Sequence, residues 1–98
     1  MLNDTVVLKR VKNALGFINT DAQDETLLEH IRNVEADMKT SGVSDDVLND
    51  EISVGCIVRG VIDSWSLSPG EGKYSEMYKQ KLVTLKHESL RREAGKNV

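Results

Sequence analysis

Proline is nearly absent: Pro69 is the only one in 98 residues, and it stands beside Gly70 in a turn-like stretch. A proline inside a helix costs about 3 kcal/mol, so almost nothing in this chain forbids long helices. Cysteine is just as scarce. Cys56 stands alone, which excludes an internal disulfide and fits a reducing cytoplasm; its expected role is a small core side chain. The two histidines, His30 and His87, are isolated and expected at the surface. Together with one cysteine they do not make a zinc site, which usually takes about four such ligands at close spacing. A long uninterrupted apolar run is missing too. The most apolar stretch is too short and too charged for a bilayer, which needs about 20 apolar residues, so no membrane contact is expected. The Met1 end lacks a basic region followed by an apolar run, so no signal peptide is expected.

What is present is charge and helical periodicity. Charged residues make up 30% of the chain and the net charge is −3. The balance is uneven: residues 1–50 carry ten acids and five bases, whereas from Lys73 onward there are seven bases and three acids. A basic end of this kind suits either an acidic partner surface or a solvated helix face. The length fits one domain, which buries roughly 60–70% of its unfolded surface.

The centre of the pattern is Asn49–Leu67, N-D-E-I-S-V-G-C-I-V-R-G-V-I-D-S-W-S-L. Val54, Ile57, Val58, Val61, Ile62 and Trp65 recur at helical spacing, and Ile52 and Cys56 widen the apolar surface. Ser53, Arg59, Asp63 and Ser66 are left for water. Asn49 or Asp50 can cap the start. A strand of about 17 residues would be far longer than the usual 5–6, so the helix is preferred. Helices apolar on most sides are central ones, and Gly55 and Gly60 suit close helix approach. The expected fold is therefore all-α: a small bundle of about four helices around a central apolar helix at residues 50–67.

The other helices follow from the same logic. Asn3–Leu15 has a stripe of Val7, Val11 and Ala14 with Leu8 and Leu15, faces Lys9, Arg10 and Lys12 outward, and stops at Gly16. A second helix starts near Asp21 or Asp24 and runs to about Ser41, with Leu27, Leu28, Ile31, Val34 and Met38 on one face. Glu29–Arg32 and Glu35–Lys39 are its supporting pairs. Val43–Leu48 is a connector in which Ser44 caps one turn and Val47 and Leu48 fold back onto the core. The stretch Ser66–Lys73 carries turn chemistry in Pro69-Gly70 and Gly72. The last helix starts near Ser75, with Met77, Tyr78, Leu82 and Leu85 on its apolar face. Beyond Leu85 the stripe thins. Residues 1–85 are thus expected as the bundle and 86–98 as a basic tail, either an exposed helical extension or a segment ordered only on assembly. Trp65 and Tyr78 are expected in the core.

Catalytic motifs are not found. Ser44–Glu51 is acidic but lacks the alternating oxygen ligands and central glycine of a calcium loop. Pro69-Gly70-Glu71-Gly72-Lys73 has a superficial likeness to a phosphate loop, yet Leu67 stands where a glycine is needed and Tyr74 where Ser or Thr is needed. No Ser-His-Asp or Cys-His set has suggestive spacing. A DNA-reading helix would have to be Asp50–Leu67, which is too apolar for a groove, in a chain that is acidic overall. No enzyme activity, metal or cofactor is expected.

Three features carry a resemblance. The first is V-K-N-A-L-G at Val11–Gly16, then Asp21, then D-E-T-L-L-E-H-I at Asp24–Ile31. The second is an apolar helix ending in D-S-W at Asp63–Trp65. The third is P-G-E-G-K-Y-S at Pro69–Ser75 leading into Y-K-Q-K-L at Tyr78–Leu82. In order and spacing these resemble the small head–tail connector (adaptor) proteins of tailed bacteriophages and prophages, a family also described as DNA-packaging or head-completion proteins. The resemblance covers Thr5 to Leu85; Lys86–Val98 matches nothing in it. It implies a virion structural protein at the head–tail junction, made in the host bacterial cytoplasm. Such a protein self-associates into a ring between the portal protein and a stopper or tail-completion protein. The ring extends a channel through which DNA passes without sequence-specific binding. Two segments would carry contacts. The basic tail, with Lys86, Arg91, Arg92 and Lys96, would dock on the portal. The loop, with Pro69, Gly70, Lys73 and Tyr74, would sit at a subunit boundary. The alternative is a small helical module that binds and regulates or inhibits one partner protein.

Overall fold

Apolar residues three and four apart must share a face of a helix, and five helices form on that principle. The computed structural model describes residues 3–66 and 74–96, with no strand among them. Helix α1 spans Asp4–Leu15, α2 Asp24–Thr40, α3 Asp45–Leu48, α4 Val54–Ser66 and α5 Glu76–Lys96; a 3-10 turn at Glu51–Ser53 precedes α4. The fold is an all-α bundle, and α4 is its centre: it packs on α1, α2 and α5. Val7 and Val11 of α1, Leu27, Ile31, Val34 and Met38 of α2, and Ile57 and Val61 of α4 close the core; Val47 and Leu48 of α3 fold back onto it as expected. Each such side chain contributes about 1.5–3 kcal/mol on burial.

Capping follows sequence chemistry at several ends. Gly16 takes φ +81° after α1, and Gly42 takes φ +113° after α2, backbone that other residues adopt only with strain. The Ser44 hydroxyl accepts from Val47 N–H at the start of α3, and the Ser75 hydroxyl accepts from Tyr78 N–H at the start of α5.

Several expectations need correction. The central helix does not begin at Asn49 or Asp50. Asp50 caps the 3-10 turn by accepting from Ile52 N–H, and the α-helix starts at Val54. Ser53, assigned to water, is fully buried: its hydroxyl donates towards the carbonyls of Leu48 and Asp50, at 2.8 and 2.9 Å. That back-bonding competes with the helical ladder and holds the first turn tight. Ile52 in turn is half exposed. Ala14 is exposed and Lys12 is tucked in, because Asp24 and Asp21 lie 2.8 and 3.2 Å from its ammonium and hold its pKa above the ordinary lysine value. Glu35 does not reach Lys39; it is buried, while Lys39 pairs with Asp45 at 3.1 Å. Of the two central glycines, only Gly60 serves a close approach: a Cβ there would lie 2.7 Å from Val34 Cγ1, whereas one on Gly55 would meet only the tip of Lys81 at 3.9 Å.

Of the two expectations for the tail, the helical extension is the one found. Residues 86–96 continue α5 without a break. Leu85 and Ser89 are buried, and α5 packs on α3 as well as α4. The apolar stripe thins there because the inward groups are polar. The Ser89 hydroxyl accepts from Ser44 N–H at 3.0 Å and donates to Leu85 O at 2.9 Å.

Candidate functional site

The residues expected to make contacts separate into three groups. Pro69, Gly70 and Lys73 lie outside the described residues. Tyr74 lies against the core, its ring 4.3 Å from that of Tyr78, and burial raises its pKa above the usual phenol value. The tail residues fall on different faces of α5. Arg92 is committed to the fold: its guanidinium lies 2.8 Å from Asp50 and 2.9 Å from Glu88, and it reaches towards Asp46 at 3.7 Å. Arg91 is exposed and pairs with Glu88. Between them these two arginines pull the Glu88 carboxyl down to about 2, Arg91 contributing most. Lys86 is half-buried, its stem beside Gly42, and Lys96 closes the helix. Sequence reasoning grouped these side chains by composition, but a helix distributes them by angle, at 100° per residue.

Between the end of α4 and the start of α5 stands a polar clamp that the sequence did not suggest. Asp63 accepts from Arg59 Nε at 3.1 Å, and its other oxygen accepts from both the backbone N–H and the hydroxyl of Ser75, at 3.1 and 2.6 Å. One carboxylate therefore ties the end of α4 to the start of α5. Beside it, the Tyr78 hydroxyl donates to Asp37 at 2.7 Å; burial first, and then Asp37, push the Tyr78 pKa well above the ordinary phenol value.

His30, expected at the surface and isolated, is half-buried. Its Nδ1 lies 2.8 Å from Ser64 Oγ, and its ring meets Trp65 edge-on at 5.5 Å, with Phe17 on the same indole at 5.6 Å. A serine hydroxyl beside an imidazole is half of a nucleophile–base arrangement. Here the serine sits within helix α4, where the ring's contacts make an aromatic corner that joins the turn after α1 to α2 and α4. Cys56 is buried, and burial pushes its thiol up to about 12, which keeps it protonated and unreactive at neutral pH. Among the described residues no group of acids, histidines and cysteine is placed to hold a metal, and no helix is long and apolar enough to cross a membrane.

The groups on offer to a partner are apolar side chains left in water. On α5 these are Met77, Val83 and Leu90, with Val83 51% and Leu90 67% exposed. Beyond α5, Val6 and Ile52 flank a depression of about 410 Å³ edged by Arg10 and Glu51. No known protein family, curated protein or solved structure matches the chain.

Proposed function

We propose that the protein is a structural docking subunit of the head–tail connector class. It joins copies of itself into a ring between the portal protein and a stopper or tail-completion protein, extends the DNA channel, and resides in the virion. The observation that carries this reading is the construction of α5. Its inner face, through Tyr78, Leu85, Ser89 and Arg92, is locked to the bundle. Its outer face leaves Val83 and Leu90 in water beside Lys79, with the half-buried Lys86 at its edge. A helix held on one side and left apolar and basic on the other is a rigid arm for a partner surface. The order of motifs shared with the connector family supports the same reading. So does the acidic balance of the chain, which suits DNA that slides rather than binds.

The test is co-sedimentation of the purified protein with DNA-filled capsids that lack it, taken from its own phage. Deleting Lys86–Val98 is a poor probe, because it removes Ser89 and Arg92 from the fold. Leu90→Glu changes the exposed face of α5, and Lys86→Glu changes a half-buried side chain at its edge. Binding of the wild type at a portal vertex, weakened at least about tenfold by either substitution, is the expected result. Absence of wild-type binding overturns the connector role and leaves a small helical module that regulates another partner.

A further inference from the structure

Helix α5 is unusual among these helices in carrying apolar residues on two opposite faces. Tyr78, Leu82 and Leu85 point into the bundle; Val83 and Leu90 do not. At 100° per residue, the outward line runs Gln80, Val83, His87, Leu90, Ala94, alternating three and four residues. That is the a/d spacing of a helix pair, sustained over the two heptads from Gln80 to Ala94. On its inner side the helix packs on α4 and α3 and reaches α2 through the Tyr78 hydroxyl.

The charges beside this line choose the partner. Lys79, Lys86 and Glu93 follow it on one flank at seven-residue steps, and Thr84 and Arg91 follow it on the other. In a parallel pair Lys86 would face Arg91 of the other copy, two like charges. In an antiparallel pair the layers become Val83 with Ala94 and His87 with Leu90, each occurring twice by symmetry. Lys86 then faces Glu93 of the other copy, and Glu93 faces Lys86. Both flanking charges that oppose each other in this register are complementary, and Lys86 and Glu93 make no ion pair within the described part of their own chain.

We propose that the free protein pairs with a second copy of itself through antiparallel packing of the outer face of α5, centred on His87 and Leu90. The contact is isologous, so each residue that contributes does so twice. It goes beyond the connector reading and does not depend on it. If both hold, pairing covers in the free protein the same ridge that docking later uses, and the pair opens on assembly.

The experiment is sedimentation equilibrium of the full chain, with circular dichroism of every variant to confirm helix content and a thermal melt to confirm folding. Wild type is expected to be a concentration-dependent dimer. Leu90→Lys places like charges in the central layer and is expected to give a folded monomer. Lys86→Glu and Glu93→Lys each replace two attractive pairs by two repulsive ones, and each should weaken the dimer about tenfold or more. The double variant Lys86→Glu with Glu93→Lys restores the pairs with reversed sign and should bring the dissociation constant back to within about threefold of wild type. A monomeric wild type overturns the proposal. So does a dimer or larger ring that is unmoved by Leu90→Lys, or a double variant no tighter than the singles. The connector role is tested separately, by whether the wild type binds capsids at all.

Discussion

Gly60 of α4 and Tyr78 of α5 meet so closely that a Cβ on the glycine would stand 2.8 Å from Tyr78 Cε2, with Val34 Cγ1 of α2 at 2.7 Å on its other side. The missing side chain is what lets three helices converge. It also allows the phenol to run past α4 and reach Asp37 on α2.

Gly60→Ala is therefore expected to destabilise the protein, even though alanine favours a helix by about 1 kcal/mol. Overpacking against a stiff valine and an aromatic ring costs about 1–3 kcal/mol, and the strain wins. Gly55→Ala, in the same helix, meets only the flexible tip of Lys81 and should stabilise by about 0.5–1 kcal/mol. Urea unfolding of the two variants side by side checks both signs.

Asn3 is the second place where a small change should be felt. Its side chain does not cap α1; Nδ2 lies 2.8 Å from Leu48 O, 2.9 Å from Asp50 O and 3.2 Å from Ser53 Oγ, in a buried node. Asn3→Ala should cost about 1–3 kcal/mol, because one buried and one half-buried carbonyl lose a donor. Ser53→Ala should cost less, since the Asn3 amide still serves both carbonyls. A double-mutant cycle should show that the two losses are not additive.

The buried Glu35 sets a dependence on pH. Burial, and then the hydrogen bond with the Asp4 side chain, push its pKa up to about 7. The folded state therefore holds a proton that the unfolded chain releases near pH 4.5. The unfolded chain binds fewer protons across that window, so stability is highest below it and falls as the pH rises through about 7. The difference is on the order of 3 kcal/mol. Glu35→Gln keeps a donor for Asp4 without the titration. Melting temperatures taken at about pH 5 and about pH 8 should differ clearly for wild type and little for the variant.

Truncation after Leu85 should lower the melting temperature rather than trim a loose end. It removes the Ser89 hydroxyl from the Ser44 N–H and the Arg92 guanidinium from Asp50. Ser89→Ala alone should cost about 1 kcal/mol, as a lost hydrogen bond to a half-buried N–H. Arg92→Ala should cost less than Ser89→Ala, because its partners keep access to water. An unchanged melting temperature in the truncated protein would contradict the packing of α5 on α3.

The sequence yielded what periodicity can carry. The placement of α1 and α2, the αL glycines after them, the Ser44 cap, the return of Val47 and Leu48 to the core and the central position of α4 all follow from apolar spacing and turn chemistry. The missed features share one cause. Ser53, Glu35, Ser89 and Lys12 are polar side chains turned inward or sideways, and a rule that sends polar residues to water misplaces each of them. Arg92 illustrates the same limit for the site: composition places it beside Arg91 as a docking contact, yet one step around the helix commits it to Asp50. Pairs such as His30–Ser64 and Asp63–Ser75 link residues 34 and 12 positions apart, and nothing in their local sequence marks them.

By itself, then, the sequence determined that this is an all-helical protein, which helix lies at its centre and where most of the helices stop, because those outcomes depend on local backbone preference and the spacing of apolar side chains. The tertiary structure alone decided which polar groups are buried, that the basic end is part of the bundle, and that α5 turns Val83 and Leu90 into water. Those outcomes depend on which surfaces the folded helices bring together, and a chain read one residue after another holds no record of that geometry.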